Sequence, residues 1–476
     1  MPFRAFWGVQ RASSRADSGA GMIERLVLFG ATGDLAGRFL LPALAALHAA
    51  GKLPEALCVL GAARQELDDA AFRNAAAKRL EAHAADTPLA ARGAVLRMLR
   101  YRSVDVADAR SVTALFDDRD APAAAYLALP PSLFPETVTA LTEVGLPAGS
   151  RIVLEKPFGK DLESAVALNR LLARTRGGEA GVFRVDHVLG MATVHNMVAL
   201  RLANPVLEAI WNGRHVERVE ILWEETLALE GRAGYYDTSG ALEDVMQNHM
   251  LQILALIAME TPAAPGERDL RDRKVEALRA IRPLRRAELA LRTRRARYTS
   301  GRLAAPPEGS GETVPAYAEE DGVDPQRKTE TFAEVVLELN AERWAGTPFV
   351  LRAGKALGRR RKMAVLRFRG TTGARGGELR IGIDGPVDIA LRLNGGSRGS
   401  PTPLELTAPP PAGELPPYAR VLLDVLTGGS ALSVRGDEAE EEWRVVTPIL
   451  DAWKEDLVPL EEYHAGSAGP PPRSCQ

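Results

Sequence analysis

An apolar run that ends in a glycine turn and leads into an apolar helix constrains this chain most. Residues 24–29 (ERLVLF) read as a buried strand, and GATGDLAGRFLLPALAAL follows from Gly30. Strand, glycine turn and helix in that order are typical of a dinucleotide-binding unit of Rossmann type. Gly30 permits the turn, Gly33 lets backbone N–H groups approach a pyrophosphate, and Ala36 takes the place of a third glycine. A purely structural turn is the alternative.

The end of the second predicted strand indicates which dinucleotide binds. Residues 56–61 (ALCVLG) form this strand, and AARQE follows it. An acidic residue at this point would bind the ribose hydroxyls of NAD, whereas Arg64 suits the 2′-phosphate of NADP. We therefore expect NADP, with NAD as a possible substitute. A surface arginine that opens the next helix is the alternative.

Three further predicted strands end in polar or proline residues. Residues 125–131 end in two prolines that include Pro130, and residues 151–154 lead into Glu155-Lys156-Pro157, a corner that suits a cis bond. Residues 181–185 deliver Asp186 and His187. The carboxyl ends of parallel strands border the ligand crevice in such folds, so Pro130, Lys156, Asp186 and His187 are candidate site residues.

The second half of the chain changes character. Runs at 216–223, 331–340, 348–352, 363–369, 378–383 and 387–393 alternate or are apolar, as in an antiparallel sheet. The predicted fold is therefore α/β followed by α+β: a parallel-sheet Rossmann-type domain, then a larger domain whose mostly antiparallel sheet packs with helices. We expect a flexible tail at 1–22, a cofactor domain at 23–200, and a substrate and dimerisation domain at 201–470. Residues 300–326 read as a mobile loop.

The segment YYDTSGALEDVMQNHML, residues 235–251, places a histidine inside an apolar helix. Its apolar residues recur at offsets of three and four, which predicts an α-helix. Asp244 and His249 are then near each other but not on one face, since five residues exceed a turn. His249 is either a hydrogen-bonded core residue or a general base.

Composition excludes several classes of protein. The formal net charge is −2, so no overall field attracts nucleic acid or an anionic membrane. No apolar run is long enough to span a bilayer. Two distant cysteines, Cys58 and Cys475, provide neither a disulfide framework nor metal-ligand spacing, which favours a reducing, cytoplasmic location and no bound metal.

Seven motifs in order give this chain a resemblance to the glucose-6-phosphate dehydrogenase family from about residue 25 to residue 469. They are GATGDLA at 30–36, LALPPSLF at 127–134, EKPFG at 155–159, RVDHVLG at 184–190, DVMQNHMLQ at 244–252, RAGKAL at 352–357 and HAGSAGP near the end. The resemblance implies oxidation of glucose 6-phosphate with NADP, in a homodimer or homotetramer. It implies no nucleic-acid or membrane partner.

The resemblance also implies residue roles. His249 would be the general base and Asp186 its carboxylate partner, with Lys156 between sugar and cofactor. The implied substrate ligands are His187, Glu225, Asp244, Lys355 and Arg360. The implied cofactor ligands are Gly30, Ala31, Thr32, Gly33, Asp34, Leu35, Arg64, Pro130 and Lys156.

The chain departs from the family pattern in the sugar-phosphate pocket. The family run His-Tyr-Leu-Gly-Lys-Glu reads HVLGMA here, so Val188 and Met191 replace the tyrosine and the lysine. Losing one neutral and one charged hydrogen bond costs roughly 2–4 kcal/mol. Arg201 or the basic run 359–362 could supply the missing charge. Glu243 stands where the family pattern has arginine, directly before the Asp of DVMQNH, so the charge is reversed there. We assign no effect to this change. The alternatives are a dehydrogenase that acts on another aldose and a non-catalytic nucleotide-binding paralogue.

Overall fold

The structure is a computed structural model that describes residues 22–116, 121–231, 233–264, 266–307, 309–371, 376–384, 389–397, 400–408 and 415–471. Apart from Met22, the predicted N-terminal tail lies outside these residues, as does Cys475. The chain forms two compact units. Across the described part of the chain, every helix is too short or too polar to cross a membrane.

Unit 1 comprises Met1–Ala192, Pro262–Asp272 and Gly413–Glu440, and its centre is a parallel six-stranded sheet. The strands are β1 (Arg25–Phe29), β2 (Cys58–Ala63), β3 (Leu99–Ser103), β4 (Ala124–Leu127), β5 (Arg151–Glu155) and β6 (Val182–Val185). Their order is β3-β2-β1-β4-β5-β6, with every pairing parallel. This order is that of a dinucleotide-binding Rossmann domain and confirms the predicted α/β fold.

Helices of unit 1 cover this sheet. They are α1 (Leu41–Ala49), α2 (Asp69–His83), α3 (Leu89–Met98), α4 (Ala109–Thr113), α5 (Phe134–Val144) and α6 (Leu162–Leu172), with 3₁₀ turns at Ala114–Phe116, Pro131–Leu133, Gly178–Gly181 and His187–Gly190. A π-helical turn, Ala36–Leu40, runs directly into α1. Apolar side chains of β1, α1 and a later helix, Pro417–Thr427, share one buried core with strands β2 and β4.

Unit 2 comprises Thr193–Thr261, Arg273–Ala412 and Glu441–Gln476, and is built on a nine-stranded sheet. Its strands are β7 (Val216–Glu224), β8 (Thr293–Thr299), β11 (Phe332–Leu337), β12 (Phe349–Gly354), β13 (Arg361–Phe368), β14 (Glu378–Gly382), β15 (Ile389–Ser397), β16 (Ser400–Ala408) and β17 (Leu460–His464). A small hairpin joins β9 (Gly301–Arg302) to β10 (Thr313–Val314). Only the β7–β12 and β8–β17 pairings of the large sheet are parallel among the described strands, so the predicted, mostly antiparallel sheet is confirmed.

The remaining helices follow in chain order. They are α7 (Ala192–Ala203), α8 (Pro205–Ile210), α9 (Ala233–Tyr236), α10 (Leu251–Ala258), α11 (Glu267–Ala280), α12 (Arg286–Arg292), α13 (Pro417–Thr427) and α14 (Gly436–Lys454), with 3₁₀ turns at Tyr317–Glu319, Pro325–Arg327 and Glu342–Trp344. Every residue of α10 is buried, and all of them except Gln252 are apolar, as expected for a helix that is covered on every side.

The domain limits drawn from the sequence differ from the compact units. We predicted one boundary between residues 200 and 201, whereas the units divide between Ala192 and Thr193. Two later segments, Pro262–Asp272 and Gly413–Glu440, also belong to unit 1. The second of them contains α13, whose Leu422 and Leu426 are buried in the core of unit 1.

The segment 300–326, which we predicted to be a mobile loop, forms hydrogen bonds to a buried carboxylate in the structure. Asp237 is 1% exposed and accepts hydrogen bonds from the Tyr317 hydroxyl at 2.7 Å and the Asp324 backbone N–H at 3.1 Å. The Arg327 guanidinium also contacts this carboxylate at 3.0 Å. A charge buried this deeply is stable only when paired, so Asp237 holds the segment in place.

Candidate functional site

The glycine turn of unit 1 has the geometry that its sequence predicts. Gly30 follows β1 with φ +75°, and a Cβ there would lie 2.1 Å from the Ala128 carbonyl oxygen, so only glycine fits. Gly33 is exposed, and a Cβ there would meet only the Gly30 carbonyl oxygen, at 3.1 Å. Ala36 is fully buried at the start of the helix, as close packing of helix on strand requires. These features fit a pyrophosphate at the turn.

Arg64 and Pro130 lie at the same edge of the unit 1 sheet as the glycine turn. Arg64 is exposed and follows β2 directly, and the Ala62 carbonyl accepts the Gly30 N–H at 2.8 Å. On the other side of β1, the Ala128 N–H donates to the Phe29 carbonyl at 3.0 Å, and exposed Pro130 comes two residues later. Both residues therefore border the turn from neighbouring strands.

Lys156 follows a buried glutamate at the carboxyl end of β5. The Lys156–Pro157 peptide is cis, which confirms the predicted corner. Glu155 is buried and accepts a hydrogen bond from the Tyr126 hydroxyl at 2.5 Å. Burial raises the pKa of Glu155 to about 7; the Tyr126 hydrogen bond opposes this increase, Asp186 adds to it, and Lys156 opposes it.

Asp186 and His187 stand at the carboxyl end of β6, as predicted. Asp186 is 2% exposed, and its carboxylate accepts the Val188 backbone N–H at 3.0 Å. The His187 ring stacks on Tyr418 of α13, with centroids 5.6 Å apart and planes 15° apart. Val188 stands where the family pattern has tyrosine and is completely buried. Its apolar side chain offers no hydroxyl group to a ligand.

In unit 2, the helix that carries Asp244 and His249 is a π-helix, not the α-helix that we predicted. It spans Leu242–Met250 and continues as α10. In a π-helix the hydrogen bonds run from residue i to residue i+5, so residues five apart are one turn apart. Asp244 and His249 therefore share a face, which corrects the prediction that they do not. Long π-helical stretches are rare and occur at functional sites.

A buried glutamate holds the start of this π-helix. The Glu330 carboxylate accepts the Leu242 N–H at 2.9 Å, and a Cβ on Gly240 would lie 2.4 Å from the same carboxylate. Burial raises the pKa of Glu330 to about 7; the hydrogen bond from Leu242 opposes the increase, and the nearby charge of Glu243 adds to it. The close fit of Gly240 explains why glycine stands there.

Ring and charge contacts link His249 to the predicted substrate ligands of unit 2. His249 is 2% exposed and stacks on Trp223 at 5.3 Å, and the Lys362 ammonium lies 4.5 Å from the centre of the Trp223 ring. Lys362 and Lys355 bind the two oxygens of Glu225 at 2.9 and 2.7 Å. We call Glu225, Lys355 and Lys362 the lysine–glutamate cluster.

Asp244 also belongs to this neighbourhood. The Lys355 ammonium lies 5.1 Å from the centre of the Tyr236 ring. Burial raises the pKa of Tyr236, and the charges of Glu330 and Asp244 raise it further. The structure thus brings Glu225, Asp244, His249 and Lys355 together around Trp223 and Tyr236.

Glu225 is an ion held by its two lysines. Burial alone would raise its pKa, but Lys355 and Lys362 lower it to about 2. Because this value lies below the usual value of about 4.3, the cluster stabilises unit 2 fully above about pH 4.3. The contribution is lost as pH falls towards about 2.

We therefore expect Glu225→Gln to lower the free energy of unfolding by about 2–3 kcal/mol near pH 7, and by progressively less as pH falls below about 4. Urea unfolding of wild type and variant across this pH range measures the difference. Glu217→Gln, which changes an exposed glutamate of β7, the strand that ends directly before Glu225, should give no such trend. A Glu225→Gln difference that is constant with pH would contradict the assigned ion pairs.

The basic residues outside the cluster have other partners. Arg360 pairs with Asp384 at 2.8 Å, and Lys362 also contacts Asp384 at 3.2 Å. Arg201 is 1% exposed and binds Glu208 at 2.8 Å and the carbonyls of Leu256 and Ile257 at 3.3 Å. The burial of Arg201 and its engagement with these partners argue against it as the replacement for the missing phosphate-binding charge.

Several residues of the site were not singled out from the sequence. They are Tyr126, Glu155, Tyr418, Trp223, Tyr236, Glu330 and, outside the general mention of a basic run, Lys362. Glu155 had a signal, because it ends a strand directly before Lys156. Tyr418 had none, because α13 lies more than 200 residues from His187 in the chain. The pairing of Asp186 of unit 1 with His249 of unit 2 stays a prediction.

Comparisons with known proteins identify the family of the chain. The family model described as glucose-6-phosphate dehydrogenase, NAD binding domain, matches residues 27–196, and that for the C-terminal domain matches residues 198–474. The chain belongs to the glucose-6-phosphate dehydrogenase family. The family models divide at the same region of the chain as the first change of compact unit.

Individual members of the family are similar along their whole length. The glucose-6-phosphate 1-dehydrogenases of Gluconobacter oxydans and Treponema pallidum are 38% and 37% identical, covering 93% and 95% of this chain and 94% and 93% of theirs. A solved glucose-6-phosphate dehydrogenase in complex with its substrate glucose-6-phosphate has a TM-score of 0.85 at 30% identity, covering 95% of this chain and 97% of its own. The Mycobacterium avium enzyme has a TM-score of 0.82 at 32% identity, covering 95% and 96%. The family membership therefore applies to both units.

Proposed function

We propose that this chain oxidises glucose 6-phosphate at carbon 1 to 6-phosphoglucono-1,5-lactone, with reduction of NADP. The observation that carries the proposal is the arrangement in unit 2. There a buried histidine on a π-helix adjoins a carboxylate one turn away and the lysine–glutamate cluster. Full-length similarity to enzymes named for this reaction supports it.

In this proposal His249 removes the proton from the anomeric hydroxyl of the sugar as hydride leaves carbon 1. It must begin neutral to accept the proton, and the carboxylate of Asp186 orients the ring and stabilises the imidazolium that forms. Asp244 and Glu225 accept hydrogen bonds from sugar hydroxyls, since each carboxylate oxygen can accept more than one. Lys355, with His187 and Arg360, binds the sugar phosphate.

The nucleotide is held at the turn after β1. The turn residues Gly30, Ala31, Thr32, Gly33, Asp34 and Leu35 hold the pyrophosphate, and Arg64 and Pro130 border the adenosine half. Lys156 lies between sugar and cofactor. The nicotinamide supplies the hydride acceptor. The exposed Gly33 and the left-handed Gly30 fit this role, because both keep the turn open to backbone N–H donors.

An assay of NADPH absorbance with glucose 6-phosphate, and separately with free glucose, tests the proposal. We expect turnover of the phosphorylated sugar with a kcat/KM at least about 100-fold above that of glucose, because the phosphate adds charged hydrogen bonds. Comparable rates on both sugars would instead indicate an aldose dehydrogenase. No turnover of any aldose at saturating cofactor would indicate a non-catalytic paralogue.

Arg64→Ala should weaken NADP binding about 10- to 100-fold and leave NAD binding nearly unchanged. Only NADP carries the 2′-phosphate, and a charged hydrogen bond is worth about 1.5–3 kcal/mol. Fluorescence titration with each nucleotide measures the two affinities in one variant, so NAD serves as the internal control. An equal loss for both nucleotides would mean that Arg64 supports the turn rather than the 2′-phosphate.

Met191→Lys should lower KM for glucose 6-phosphate by roughly tenfold, with little change in kcat. The substitution restores a cation where the family pattern has lysine, directly after the 3₁₀ turn His187–Gly190 that follows Asp186. Steady-state kinetics of Met191→Lys are compared with those of Met191→Gln. Glutamine keeps the length of the methionine side chain and adds polarity without charge, so the comparison isolates the effect of charge. If both variants resemble the wild type, the phosphate binds elsewhere.

A further inference from the structure

Unit 1 contains a cavity at the amino ends of its parallel strands, whereas the glycine turn lies at their carboxyl ends. Its volume is about 170 Å³, and Ser150 and Gly181, which directly precede β5 and β6, line it. Gly30, Lys156 and Asp186 follow the carboxyl ends of parallel strands of the same sheet. The cavity is therefore separate from the nucleotide edge of this unit.

One part of the wall is apolar. Leu141, Leu146, Pro147 and Ile152 line it, and of these Leu141, Leu146 and Ile152 are at least 94% buried. Apolar surface in a concave site favours an apolar part of a ligand.

The hydroxyl groups of the wall are already engaged. Thr142 and Thr175 donate to the Val138 and Leu172 carbonyls at 2.7 Å, and Ser150 accepts the Ala123 N–H at 3.1 Å. These hydroxyl groups carry no charge, so recognition of a charged ligand in this cavity falls to other groups.

Two arginines supply those groups. Arg174 and Arg176 both line the cavity, and within the described part of the chain neither guanidinium forms an ion pair or a side-chain hydrogen bond. The one carboxylate of their loop, Glu179, is bound to Arg184 at 2.9 and 3.0 Å and so does not neutralise them. Two uncompensated guanidinium groups beside an apolar wall suit an anion that accepts several N–H bonds.

We propose that this cavity binds a small phosphate monoester that carries a compact apolar or aromatic group. The arginines bind the phosphate oxygens, and the apolar wall contacts the remainder. The cavity volume is sufficient for a single aromatic ring. The site is independent of the catalytic proposal, because it uses none of the residues assigned to sugar or cofactor.

Calorimetric titration with phenyl phosphate tests the site. NADPH at saturation occupies the proposed nucleotide site without turnover, and glucose 6-phosphate is left out because, as a phosphate monoester, it would compete for this cavity. We expect phenyl phosphate to bind the wild type at one saturable site. Its affinity should fall at least about tenfold, or about 1.4 kcal/mol, in Arg174→Ala/Arg176→Ala. Inorganic phosphate and phenol should each bind at least about tenfold more weakly than phenyl phosphate, because each lacks half of the contacts.

Arg110→Ala/Arg170→Ala is the matched control. It removes two exposed positive charges from unit 1 that do not line the cavity, and should bind phenyl phosphate like the wild type. The proposal is overturned if the wild type shows no saturable binding, if the two double variants lose affinity equally, or if inorganic phosphate binds as tightly as phenyl phosphate. Thermal unfolding of both variants checks that the fold is intact. Because the comparison rests on the arginine variants, its result does not depend on whether the catalytic proposal holds.

Discussion

His249→Asn lowers kcat by about 100- to 10,000-fold if His249 is the general base, since positioned proton transfer contributes that much. Asparagine keeps a polar side chain of similar size against Trp223 but cannot accept the proton. NADP affinity should remain within about threefold of the wild type, because the cofactor ligands are assigned to the turn of unit 1 and not to this π-helix. Steady-state kinetics with an independent NADP titration separates the two quantities.

His215→Asn is the matched control for this substitution. His215 is exposed in the same unit, and its ring contacts the Asn212 side chain at 3.1 Å. It should show wild-type kinetics. If His249→Asn keeps more than about a tenth of the wild-type kcat, the base has been misassigned and His249 is a core residue.

Gly30→Ala should abolish useful cofactor binding and also destabilise unit 1. The new Cβ would overlap the Ala128 carbonyl oxygen at 2.1 Å, and a left-handed φ of +75° is itself unfavourable for alanine by about 1–2 kcal/mol. Backbone must move to relieve the overlap, so the turn loses the shape that presents its N–H groups. We expect NADP affinity to fall at least about tenfold and the free energy of unfolding to fall by about 2–4 kcal/mol.

Gly51→Ala separates the two causes. Gly51 also has a positive φ, +63°, but a Cβ there meets no atom within 4 Å. It should cost only the conformational part, about 1–2 kcal/mol, and leave NADP affinity unchanged. Urea unfolding and fluorescence titration measure both variants. Equal effects of the two substitutions would show that the contact with Ala128 has no importance for the cofactor turn.

Local sequence patterns predicted well the local structure of unit 1 around the candidate nucleotide turn. The strand before Gly30, the buried Ala36, the cis Lys156–Pro157 corner and the position of Asp186 after β6 all follow from residues close together in the chain. Each depends on a short-range constraint, such as the φ of a turn or the end of a parallel strand. Tertiary contacts were not needed to recognise them.

The π-helix could not be predicted in this way. Its apolar residues recur at offsets of three and four, as in an α-helix, and the wider turn accompanies a contact between Leu242 and the distant Glu330. For the same reason the spacing of Asp244 and His249 was misjudged. A helix pattern read from sequence does not reveal which carbonyl each N–H selects.

The lysine–glutamate cluster also depends on long-range pairing. Trp223 and Lys362 are brought together because β7 and β13 pair with these two residues in register. Lys355 follows β12, the other neighbour of β7, so its ammonium reaches Glu225 from the opposite side. Sheet order decides these contacts, and the order of distant strands is not encoded in any short segment.

Deuterium transfer from carbon 1 tests the central claim most directly. The wild type is incubated with NADP and glucose 6-phosphate that carries deuterium only at carbon 1, and the reduced nucleotide is analysed by mass spectrometry. The account predicts one deuterium in each NADPH formed and the lactone, or its hydrolysis product, without deuterium at carbon 1. Unlabelled NADPH, or no reduced nucleotide from this sugar, would contradict it.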